Sequence, residues 1–79
     1  PGLTSSAHKE YQRQIIEKAL HAIDHCTPEE KDITSMTMAI DESKLEDARK
    51  LITKFRRDLC AFLEDSPQTR VFNLGIQLY

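Results

Sequence analysis

Long apolar runs, cysteine clusters, glycine-rich loops and a charge excess of either sign are all missing from these 79 residues. No stretch approaches the ~18 consecutive apolar residues of a membrane span, and nothing at the start resembles a secretory signal. Two cysteines, Cys26 and Cys60, are too few for a disulfide framework and form no Cys-x-x-Cys pair. They read as small thiols beside apolar stripes in a reducing compartment, the cytoplasm by default. The two glycines, Gly2 and Gly75, are isolated, which excludes a phosphate-cradling loop. Eleven lysines and arginines stand against thirteen aspartates and glutamates, a net charge of −2, without the basic balance of a dedicated DNA binder. Length excludes a multidomain enzyme, a barrel and a doubly wound nucleotide-binding fold. A chain this short buries only about 60% of its unfolded surface. It rarely gains more than a few kcal/mol from its core without a staple, a metal or a partner chain.

What is present is periodic. Residues 5–26 read as a helix: Ser5 or Ser6 can cap its start, and Tyr11, Ile15, Ile16, Ala19, Ala22, Ile23 and Cys26 fall within half of the helical wheel. Pro28 ends it by biasing Thr27 away from helical backbone. The period then changes to two. Met36, Met38 and Ile40 share one face of a strand over residues 33–40, with Ile33, Ser35, Thr37 and Ala39 opposite. A second helix, about residues 42–64, has Asp41 as its cap and a Ser43-x-x-Glu46 capping box one register on. Leu45, Ala48, Leu51, Ile52, Phe55, Leu59, Phe62 and Leu63 recur at three- and four-residue steps, the cleanest amphipathic signal in the chain. After Pro67, residues 70–79 alternate again, with Phe72, Leu74, Ile76 and Leu78 on one face.

The expected fold is therefore α+β, helix–strand–helix–strand, with a βαβ crossover and two strands per chain. Two strands do not make an independently stable sheet, and both expose an edge. Pairing with a second copy would give four strands, with insertion of partner strands between the two as in a split, ferredoxin-like half. A missing segment of a parent protein would serve equally. Pro1-Gly2 without a methionine reads as an excised end: residues 1–7 are a remnant or helix lead-in, and residues 8–79 a single domain.

These residues carry a resemblance. The run Lys31-Asp32-Ile33-Thr34-Ser35-Met36-Thr37-Met38-Ala39-Ile40 is similar to the first-strand pattern of a bacterial domain-of-unknown-function family. Ile52-Thr53-Lys54-Phe55-Arg56-Arg57-Asp58-Leu59 resembles its I-x-x-F-R-K-x-L stretch, and Arg70 to Tyr79 its R-V-Y-x-L-N-I-Q-L-F close, with Gly75 where the pattern has Asn. The family forms the C-terminal part of transcription regulators and is rich in paralogues in some predatory and fibre-degrading bacteria. The resemblance implies a regulator whose DNA-contacting part lies upstream, and it brings no catalytic residues.

Few side chains could carry chemistry. His21-x-x-x-His25 with Cys26 has helical ligand spacing, but the histidines project from the solvated face while Cys26 turns to the stripe, so no metal and no cofactor is expected. Lys50, Lys54 and Arg57 form a basic stripe opposite the apolar face, a weak nucleic-acid candidate. Glu46→Lys50 and Lys54→Asp58 are i,i+4 partners, which fits a solvated face better. Arg49 and Arg56 flank the apolar face and suit contacts to a partner chain, as do Met36, Met38, Phe72, Leu74 and Ile76. The carboxylate pairs lie at helix ends and turns, and no nucleophile–base arrangement can be argued. The expected function is a non-enzymatic C-terminal regulatory and oligomerisation domain of a bacterial transcription regulator, acting by homodimeric sheet and helix packing. The alternatives are a small-ligand sensor at the dimer interface or direct nucleic-acid contact.

Overall fold

A computed structural model describes residues 2–79, with side chains from Ser5 onward. It contains two long helices, α1 (Gly2–His25) and α2 (Leu45–Glu64), and two short 3₁₀ turns, Pro28–Glu30 and Glu42–Lys44. The chain divides into two compact units, the first ending at Met36 and the second running from Thr37 to Tyr79. The expected lead-in at residues 1–7 falls partly outside the described residues, at Pro1, and α1 already includes Gly2, three residues before the expected start.

The α+β expectation is overturned: among the described residues there is no strand, and the fold is all-α. Residues 33–40 and 70–79 carry the alternation of strands but not the pairing. Among the described residues, the backbone hydrogen bonds outside the helices are Cys26 to Ala22, Glu30 to Thr27 and Lys44 to Asp41, all local. Alternation says which side chains share a face. A strand exists only when its N–H and C=O groups meet those of a neighbour.

The first unit is built around the end of α1. Proline at the head of the 28–30 turn forces the helix to stop before it. The Thr27 N–H donates to Glu30 Oε1 at 2.9 Å, one arm of a Thr-x-x-Glu capping box. Lys31 then folds back, and its Nζ donates to the carbonyls of Ile23 at 2.5 Å and Ala22 at 3.5 Å. The Ile23 carbonyl lacks its i+4 donor, because the Thr27 N–H turns to Glu30, while the Ala22 carbonyl also accepts from the Cys26 N–H at 3.0 Å; the ammonium sits where the helix dipole is negative. Ile15, Ala22 and Cys26 are half covered; Tyr11, Ile16, Leu20 and Ile23 are exposed.

In the second unit, Asp41 starts the helical region, as its residue type predicts. Its carboxylate accepts from the Ser43 N–H at 3.0 Å and the Ser43 hydroxyl at 2.7 Å. These two bonds, the hydroxyl's foremost, hold its carboxyl below the ordinary carboxylate range. The sign follows from linkage: the folded pKa is depressed, so the cap stabilises above the unfolded value near 3.9 and fades as pH falls through the folded one. Acidification below about pH 4 should fray the start of α2. A far-ultraviolet helicity titration should show that step in the native chain and a smaller one in Asp41→Asn, which keeps an acceptor and does not titrate. An unchanged titration would remove Asp41 as the cause.

Candidate functional site

No described side chain of this chain is fully buried. Functional geometry therefore has to be sought in surface grooves, and α2 carries two.

The first is an apolar cleft of ≈ 520 Å³ where the segment before α2 runs beside the helix. Met38, Ala39 and Ile40 form one wall, with Leu78 from the C-terminal segment. Leu45, Ala48, Leu51 and Ile52 form the floor, while Asp41 and Lys44 are its charged residues. The helical register explains the floor, because positions three and four apart stack on one face.

The covering is one-sided. Leu45, Ala48, Ile52 and Leu59 are half covered, whereas Leu51, Phe55 and Phe62 are 69%, 56% and 76% exposed. The amphipathic stripe thus consists of two parallel rows, one tucked under the chain's own segment and one open.

The second groove, ≈ 600 Å³, runs along the polar side of the same helix. It brings together Arg49, Lys50, Lys54 and Arg57 with Glu46, Thr53 and Asp58. Lys54 Nζ donates to Asp58 at 2.6 Å, the expected i,i+4 pair. That hydrogen bond, and the carboxylate's charge, raise the Lys54 pKa. Lys50 pairs with Asp47 at 3.8 Å, at i,i+3 rather than with Glu46. Two of the three stripe cations are thereby partnered by acids of their own helix, and such exposed pairs contribute little to stability.

The remaining candidates are dispersed. Met38 lines the apolar cleft and Arg49 the charged groove, while Met36, Arg56, Phe72, Leu74 and Ile76 are exposed and line neither. Arg70 holds its guanidinium carbon 5.1 Å from the centre of the Phe72 ring, a local cation–π contact in the C-terminal segment. His21 and His25 stack with ring centres 3.7 Å apart and planes 5° from parallel. One ring nitrogen of His25, Nδ1, lies 2.8 Å from the His21 carbonyl oxygen. Parallel rings direct their in-plane lone pairs side by side, not toward one ion, and no group of three metal-binding side chains occurs among the described residues. The Cys60 thiol donates to Glu64 at 2.9 Å, and this bond together with the carboxylate's negative charge raises its pKa. The result is a poorer nucleophile. No helix among the described residues is long and apolar enough to cross a membrane.

Sequence reasoning missed the Lys31 cap and the Thr27–Glu30 bond. The second was legible as Thr-x-x-Glu just before a chain reversal. The first was not, since a lysine eight residues past its acceptor has no fixed spacing rule.

A family model described as a domain of unknown function, DUF4423, matches residues 1–79. No curated protein matches the chain. No solved structure matches it either.

Proposed function

As the chain belongs to the DUF4423 family, we propose that it is a non-enzymatic assembly module of a bacterial cytoplasmic transcription regulator. In this reading it works by pairing with a second copy of itself. The regulator context rests on the resemblance of Lys31–Ile40, Ile52–Leu59 and Arg70–Tyr79 to the family pattern. DNA contact belongs to another part of the regulator, whose spacing the paired modules set. The non-enzymatic reading rests on residue chemistry: the Cys60 thiol, which hydrogen-bonds the Glu64 carboxylate, has its pKa raised by that contact, which lowers the thiolate a nucleophile needs.

One observation carries the self-association. Within the second unit the apolar stripe of α2 is covered along one side alone, and Leu51, Phe55 and Phe62 are 69%, 56% and 76% exposed. Eighteen large apolar side chains are among what is exposed, far more than the scattered singles that a monomer tolerates. An all-α chain that leaves its apolar stripe open gains stability by covering it with the same stripe of another copy.

Light scattering on a size-exclusion column, run from low to high micromolar, should give twice the 9.1 kDa chain mass. A single-chain mass persisting at high micromolar, with full helical signal, overturns the reading.

A further inference from the structure

The open row of α2 has a definite occupant. We infer that Leu51, Phe55 and Phe62, continuous with the cleft under Met38 and Ile40, form the seat of the second copy. This rests on the self-association reading and assigns it a surface.

Three features distinguish this row. Its residues stand four and seven apart, so they lie on one side of the helix, beside the row that the chain's own 38–41 segment and Leu78 already cover. It is apolar and large. At about 200 Å² per phenyl side chain, Phe55 and Phe62 present roughly 260 Å², and Leu51, Met38 and Ile40, each more than half exposed, extend that area. Together they supply more than half of the ~800 Å² that each partner buries in a standard interface.

The third feature is charge, and it suits a second copy. A two-fold contact sets residue i against j and j against i, so an unpaired charge near the axis meets its own image. The acids bordering the open row, Asp47 and Asp58, are each neutralised on the same helix, by Lys50 and Lys54. The row can therefore face its own image without repulsion. Arg49 and Arg56 lie on the far side of the covered row, neither forms an ion pair among the described residues, and near a two-fold axis each would repel its image. The seat excludes them.

The test is the mass of the full chain by light scattering over a concentration series, for native protein, Leu51→Glu, Phe62→Glu and, in α1, Ile16→Glu. Glutamate is a good helix former and the three positions are exposed, so helical signal should hold in all of them. The native chain and Ile16→Glu should run at the double mass. Leu51→Glu and Phe62→Glu should run at the single mass, their pairing weakened by about a hundredfold or more. A native dimer that survives both α2 substitutions overturns the seat and leaves self-association standing. A native dimer lost only with Ile16→Glu moves the seat to α1. A native chain at single mass throughout gives the row to another occupant and overturns both readings.

Discussion

The melting temperature of this chain should climb by about 4 °C for each tenfold rise in protein concentration. The figure follows from mass action. When two folded copies unfold to two separate chains, a tenfold increase in concentration adds RT ln 10, about 1.4 kcal/mol, to the stability of the pair. Unfolding entropy near the midpoint is about 2.1 cal/mol/K per residue, hence roughly 0.33 kcal/mol/K over both copies. The quotient is the expected slope. A hundredfold series, followed by far-ultraviolet signal, would thus spread the transitions over about 8 °C. A chain that folds alone shows no such spread. The slope also reports which term stabilises the protein: no described side chain is fully buried, and a rise with concentration would mean that area covered between copies supplies what an internal core would. A melting temperature independent of concentration would show that the chain covers its stripe by itself.

How much of this was legible depends on whether the signal is local. The second helix was read at residues 42–64 and is found as a 3₁₀ turn at Glu42–Lys44 leading into Leu45–Glu64. Capping and amphipathic period are both set within a few residues, so Asp41 and the Leu45-to-Leu63 stripe declare themselves. Pro28 likewise marks the end of α1, because a proline acts on its immediate neighbours. The strands are the opposite case. Met36-Thr37-Met38-Ala39-Ile40 and the segment from Arg70 to Tyr79 alternate convincingly, and neither is a strand. Their pattern describes side chains, while the ladder that defines a strand is a property of two segments.

The site was legible to the same degree. Wheel geometry gave the apolar face of α2 and the basic side opposite, and the second groove gathers Lys50, Lys54 and Arg57 as expected. That geometry did not divide the apolar face into a covered row and an open one. The division depends on where Met38, Ile40 and Leu78 come to lie beside the helix, and sequence spacing has no rule that brings Leu78 back from the C-terminal segment.

Proline in the middle of α2 should have the most severe effect of any single substitution. Thr53 sits eight residues into a helix of 20, half covered, with a full turn on either side. Thr53→Pro would remove the N–H that donates to the carbonyl of Arg49 and drive the pyrrolidine ring against it, at about 3 kcal/mol or more. A domain of this size has only a few kcal/mol in total, so α2 should melt as a unit. The cleft floor and the open row are both built on α2, and both should go with it. Two results are expected together: loss of α2's share of the helical signal, and a single-chain mass at every concentration. Thr53→Ala keeps the N–H and improves helix propensity, so it should preserve both. Gln14→Pro supplies the contrast. It imposes the same backbone penalty in the middle of α1, yet it leaves the row of Leu51, Phe55 and Phe62 untouched. If the seat lies on α2, Gln14→Pro should lower helicity comparably and still run at the double mass. Were Thr53→Pro to remain paired with its α2 signal gone, pairing would have to reside in α1 or in the extended segments, and the assignment to α2 would fall. Were both proline variants to dissociate, the two units would depend on one another for stability, and the glutamate substitutions at Leu51 and Phe62, which leave the backbone intact, would have to decide the seat.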